Sequence, residues 1–91
     1  MSEKQYLEIL GYQVRDRVTN FQGVAVSVSF DLSGCVQVYI LPPIDKDGKV
    51  PDGRWIDHKR LTYQEAAPVM TAPIFEDVPG GEKLPSPERN Y

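Results

Sequence analysis

Nucleophilic or proton-transfer chemistry has few places to start in this chain, which carries one histidine, His58, and one cysteine, Cys35. Asp57 adjoins His58, but consecutive strand residues point to opposite faces, and no spacing nominates a nucleophile to complete a triad. The expected role of His58 is that of a partly exposed structural residue. Cys35 has no histidine or basic cluster beside it in sequence, so it is expected to be a small packed side chain rather than a reactive thiol. A lone cysteine also excludes an internal disulfide and a thiolate zinc cluster. The run Asp45–Gly48, "DKDG", opens like a calcium loop, but the twelfth position would be Ile56 instead of Glu and the glycine comes two places early, so the spacing predicts a hairpin turn. "DGK" at 47–49 lacks the preceding glycine and following Ser or Thr of a phosphate loop. These residues predict no enzyme, no metal and no cofactor.

A second set has the chemistry of a binding surface: Arg15, Arg17, Phe21, Tyr39, Arg54, Trp55, Lys59 and Arg60. Aromatic rings beside guanidinium groups can stack on a base and hold a phosphate, or cage a peptide side chain. Each also has a plainer role. A tryptophan in a thin core is the largest burial such a domain can make, and alternating basic residues on a strand are its solvated face.

The elements that would position this set are strands. Val24, Val26, Val28, Phe30 and Leu32 alternate with small or polar residues, Ser33-Gly34 supplies a reversal, and "CVQVYIL" returns with Val36, Val38 and Ile40 on one face. The period predicts a long hairpin over 24–41 with Val26, Val28, Phe30, Val36 and Val38 inside. "YQVRDRV" predicts a shorter strand, with Val14 and Val18 on one face and Arg15 and Arg17 on the other. Pro42-Pro43 ends the hairpin, and "RWIDHKRLTY" predicts one or two last short strands. Residues 2–10 read equally as a helical turn, with Ser2 and Gln5 spaced as a capping box, or as an extra strand. The expected fold is mainly β, a small antiparallel SH3-like barrel over residues 1–63 with an extended Pro-rich C-terminal tail over 64–91.

Charge and composition divide the chain at the same place. Residues 1–63 carry eight basic and eight acidic side chains, whereas 64–91 carry two and five, which accounts for the net charge of −3. That balance supplies no long-range field for a polyanion, so nucleic acid is a less favoured partner. The tail holds five of the eight prolines and no apolar period, which excludes a helix or a central strand there. Its apolar residues Val69, Met70, Ile74 and Phe75 predict that 67–78 lies on a protein surface and joins copies into a homo-oligomer, while 80–91 frays. The apolar runs are too short for a membrane span, and the opening "MSEKQYLEIL" lacks the pattern of a signal peptide. A soluble, cytoplasmic protein is expected.

Residues 12–61 resemble a group of short proteins encoded by tailed bacteriophages and prophages. The resemblance rests on V-x-D-x-V-T-x-F-x-G (Val14 to Gly23), on Gly34-Cys35 in the hairpin turn, and on W-x-D-x-x-x-L (Trp55 to Leu61). This chain departs from the pattern at Ile56, where the group has an aromatic residue, and at His58, where it has an acid. The layout is also distantly similar to phage anti-defence sponges that sequester cyclic ADP-ribose signals. The resemblance implies a non-enzymatic binding protein in the host-cell cytoplasm, a counter-defence factor capturing a signalling nucleotide or a host protein. A KOW- or Tudor-like nucleic-acid or ribosome-associated module and a minor virion or assembly component are the alternatives.

Overall fold

The computed structural model describes residues 2–75. Its elements in chain order are α1 (Glu3–Leu7), β1 (Gln13–Asp16), β2 (Gln22–Phe30), β3 (Val36–Leu41), β4 (Arg54–Asp57), a 3-10 turn (His58–Arg60) and β5 (Leu61–Tyr63). The five strands form one antiparallel sheet in the order β4-β3-β2-β1-β5. The opening residues resolve to a helix: Ser2 N–H donates to Gln5 Oε1 at 2.7 Å and the Ser2 carbonyl accepts from Gln5 N–H at 3.0 Å. The first is the glutamine half of the capping box that the spacing allows; the second is a backbone bond of the helix's first turn.

The long hairpin is present and pairs Val24 with Leu41 at one end and Phe30 with Val36 at the other. Its period, however, is broken. Ala25 faces Ile40, Ser27 faces Tyr39, and Val26 is the extra residue of a β-bulge. A bulge of one residue shifts the alternation by one. The inward side of β2 is therefore Ala25, then Val28, rather than an unbroken 24-26-28-30 series. Ala25 is fully buried and Val28 packs against the core, whereas Val26 and Phe30, both expected inside, are each 44% exposed. Phe30 sits at the end of the ladder, where its ring meets the edge of Tyr6 from α1 at 5.9 Å between centroids. Of the expected interior, Val38 is fully buried and Val36 half-buried.

The hairpin tip is wider than Ser33-Gly34 alone. Residues 31–35 form the loop, with Asp31 Oδ1 accepting from the N–H groups of Ser33 and Cys35 at 3.0 Å each, and Gly34 adopts φ +92°. The aspartate side chain thus substitutes for a backbone turn, which moves Asp31, Leu32 and Cys35 out of the strands. Leu32, expected on the apolar face, is wholly exposed, and Cys35, expected to be packed, is exposed as well.

The core is Ile9, Val14, Ala25, Val38, Ile40 and Ile56, flanked by Tyr12, Phe21, Val28 and Leu61. It is small, as a short chain allows. Val18 does not share the inward face with Val14, because β1 ends at Asp16 and the backbone turns, leaving Val18 71% exposed. The inward position after Val14 is taken by the carboxylate of Asp16. Residues 64–75 return along the domain's own surface, where Val69 N–H donates to the Gly11 carbonyl at 2.7 Å and Gln64 N–H to the Gln13 carbonyl at 2.9 Å. The part of the tail expected to fray, 80–91, and residues 76–78 of the expected docking segment lie outside the described residues. No helix among the described residues is long and apolar enough to cross a membrane.

Candidate functional site

Asp16 organises the end of the sheet where Arg17, Lys59 and Arg60 lie. A fully buried carboxylate needs every lone pair engaged, and here four donors supply that. Oδ1 accepts from Val18 N–H at 3.0 Å and Arg60 Nε at 2.9 Å, while Oδ2 accepts from Thr19 Oγ1 at 2.6 Å and Arg60 Nη2 at 2.5 Å. The Arg60 fork, followed by these hydrogen bonds, holds the Asp16 carboxyl far below the ordinary carboxylate range in spite of the opposing effect of burial. Arg60 is pushed up in turn, chiefly by its hydrogen bond to Asp16. Arg17 donates from Nη2 to the Lys59 carbonyl at 2.6 Å, and its N–H donates to the Arg60 carbonyl at 2.9 Å. The guanidinium of Arg60 is thus engaged by a buried carboxylate while its side chain stays 42% exposed, and that of Arg17 joins the turn after β1 to the 3-10 turn.

The residues of the 14–23 run and of the 55–61 run therefore do architectural work. Val14 is core, Thr19 donates to Asp16, and Phe21 packs on the core. A Cβ on Gly23 would strike the Leu41 carbonyl across the ladder, so β2 and β3 can approach there only with glycine. Asp57 caps the 3-10 turn by accepting from Lys59 N–H at 2.8 Å.

The aromatic members separate into two groups. On one face, Tyr39 and Trp55 are directly paired across β3 and β4, with ring centroids 5.1 Å apart and planes at 55°. The Tyr39 hydroxyl accepts from Gly53 N–H at 3.1 Å, which fixes the ring, and Trp55 is 48% exposed. The core reading of this tryptophan is thereby corrected: the buried residue of β4 is Ile56, its neighbour on the opposite face. Ser27, opposite Tyr39 on β2, extends the same row. On the other face, Arg54 lies beside Phe21 with its guanidinium carbon 5.8 Å from the ring centroid, a cation–π contact. Arg15 is separate again. It pairs with Gln22 on β2, five residues from Ser27, or roughly 16 Å along the strand at the usual rise, and its Nη1 donates to Asn20 Oδ1 at 2.8 Å. The structure thus joins Tyr39 to Trp55, Phe21 to Arg54, and Arg17 to Lys59 and Arg60, and leaves Arg15 apart, in four places rather than one.

Sequence reasoning misses one feature here: Asp16, between its two arginines, although a carboxylate at the inward position of a strand signals a buried partner. His58, expected as a partly exposed structural residue, is half-buried and packs edge-on against Tyr6 at 4.8 Å between centroids, beside a shallow groove lined by Gln5, Glu8, Leu61 and Tyr63. The "DKDG" run is a turn, in which Asp45 Oδ1 accepts from Asp47 and Lys49 N–H at 2.9 Å each. Among the described residues no group of three His, Cys, Asp or Glu is placed to hold a metal ion. Comparison with known protein families, with curated proteins and with solved structures finds no match.

Proposed function

We propose that this chain is a non-enzymatic binding protein of the phage-encoded kind, a counter-defence factor whose Tyr39–Trp55 shelf receives the base of a signalling nucleotide. The observation that carries this reading is the half-exposed indole of Trp55, held against a tyrosine whose hydroxyl is already engaged. A rigid aromatic surface in water gains from stacking on a flat ligand without losing side-chain entropy. Base stacking on such a shelf contributes about 1–3 kcal/mol per base. The remainder of the affinity rests on charge and hydrogen bonds from outside the shelf.

The fold proposed with it is an SH3-like half-barrel. Strands β4 and β5 are the two edges of the sheet, yet only His58–Arg60 separate them in sequence. In a flat five-stranded sheet the edges would lie about 19 Å apart, while three 3-10 residues span about 6 Å. A sheet curled about the core, with β2 bent at its bulge, reconciles the two.

The chain contains a single tryptophan, Trp55, and five tyrosines, so fluorescence excited at the red edge of the absorption band, past the tyrosines, reports on the shelf alone. Titration of the full chain with a panel of linear and cyclic adenine nucleotides, ADP-ribose included, is expected to give saturable quenching with at least one of them, and Tyr39→Leu is expected to weaken it about tenfold or more. Calorimetry with Trp55→Ala checks the same site without the probe. Absence of any saturable signal to millimolar nucleotide, together with salt-sensitive quenching by RNA, would replace this reading with the nucleic-acid one.

A further inference from the structure

Tyr63 ends β5 opposite Val14, and Tyr12, two residues before Val14, falls on the same face of the sheet. Their rings lie 5.0 Å apart between centroids with planes at 54°, so they meet as a corner and leave ring surface free. Both line a groove of about 520 Å³ whose other walls include Glu8, at the end of α1, and Glu65, Pro68 and Thr71 of the returning segment. No lysine, arginine or histidine is among its described lining residues. Neither carboxylate has an ion-pair partner among the described residues, where the pair found is Arg60–Asp16. The backbone around the groove is tied down. Tyr12 N–H donates to the Ile9 carbonyl at 3.1 Å, the Tyr12 carbonyl accepts from Ala25 N–H at 3.0 Å, and Val69 N–H holds the returning segment to the Gly11 carbonyl at 2.7 Å. Burial, then Tyr12 and the Glu8 charge, push the Tyr63 phenol above its ordinary value, which places the Glu8 carboxylate within electrostatic reach of that ring.

We infer that this groove binds a small organic cation, an alkylammonium ion whose charged end rests against the Tyr12 and Tyr63 rings and is balanced by Glu8 and Glu65. The class of ligand follows from the walls. The face of an aromatic ring carries negative potential and attracts a cation, the more so where the site is partly desolvated. Two carboxylates with no basic neighbour in the groove add to that attraction and repel an anion. An inorganic cation is disfavoured, because hard metal ions take six or more oxygen ligands and no group of three His, Cys, Asp or Glu among the described residues is placed to hold one. The volume lies within the range of small-molecule sites. This site is independent of the nucleotide reading, because neither Tyr39 nor Trp55 lines the groove.

Titration of the full chain with choline, followed through the backbone amide signals of Tyr63, Glu65 and Thr71 in heteronuclear NMR, is expected to saturate in the millimolar range. The uncharged isostere of choline, with carbon in place of the nitrogen, is expected to bind about fivefold more weakly or worse, since it keeps the shape and loses the cation. Tyr63→Leu keeps an apolar side chain and removes the ring at a position already 53% exposed; it is expected to weaken choline about fivefold, and Glu65→Gln about threefold. The amide spectrum of each variant checks that it folds. Trp55→Ala is expected to leave choline binding unchanged, so this site and the nucleotide shelf can fail separately. No saturable shift up to about 50 mM choline, equal affinity for the uncharged isostere, or undiminished binding in Tyr63→Leu would each overturn the inference.

Discussion

The bulge in β2 makes a sharp prediction about two valines that the sequence pattern treats alike. Val26→Ala and Val38→Ala remove the same two methyl groups, one from a residue 44% exposed and the other from a residue with no exposure. Losing two fully buried carbons costs about 1.6 kcal/mol in transfer free energy, and the cavity left in a core of this size raises that to about 2–3 kcal/mol. At Val26 little more than half of the transfer loss applies, and solvent fills the space, so the cost is under about 1 kcal/mol. Against a total stability of about 5–15 kcal/mol the two variants are easily separated. Urea unfolding followed by far-ultraviolet circular dichroism measures both, and an unchanged m-value identifies the difference as stability. In thermal melts the expected drop is roughly 10–20 °C for Val38→Ala and no more than about 5 °C for Val26→Ala. Equal losses in the two variants, or a larger loss at Val26, would mean that β2 runs in unbroken register with Val26 inside, and the reasoning from the bulge would fail.

Two further predictions concern the ends of the sheet. The folded-state pKa of Asp16 lies below its unfolded value, so its pairing with Arg60 contributes stability in full above about pH 4–5 and loses it progressively as the pH falls below the ordinary aspartate pKa. Stability measured from pH 7 down to pH 2 should fall on that limb, and Asp16→Asn should lower the melting temperature at pH 7 by roughly 10 °C or more while flattening the acid dependence; an unaltered acid limb would refute the assignment. Gly34→Ala introduces a side chain that meets nothing but must hold a positive φ, at a cost of about 1 kcal/mol, whereas Gly23→Ala pushes into the Leu41 carbonyl and is expected to cost more, up to about 3 kcal/mol; chemical denaturation of the two variants gives the order.

What the sequence makes legible is the ladder, and what it conceals is phase. Val36, Val38 and Ile40 keep strict alternation and lie where alternation puts them. Val24, Val26 and Val28 keep it in sequence but not in space, because no residue type announces a bulge when three valines are all acceptable on a pleated surface. The loop at 31–35 widened because the Asp31 side chain captured two backbone N–H groups, a local bond that competes with the ladder. Among the candidate site residues, the Tyr39–Trp55 pair followed from their places on adjacent strands once the register was known. The fate of Arg60 did not, because its partner lies 44 residues away in sequence and no local pattern encodes such a contact.

That separation bears on the order in which the chain assembles. The β2–β3 hairpin closes over a five-residue loop and meets little entropic resistance, so it can form before anything else. Joining β5 to β1 means gathering more than forty intervening residues, and loop closure of that length has to be paid before Asp16 and Arg60 meet. The Asp16–Arg60 pair is therefore expected to form late, so that Asp16→Asn speeds unfolding more than it slows folding when the two rates are measured; on that expectation the pair is a latch on the lifetime of the fold.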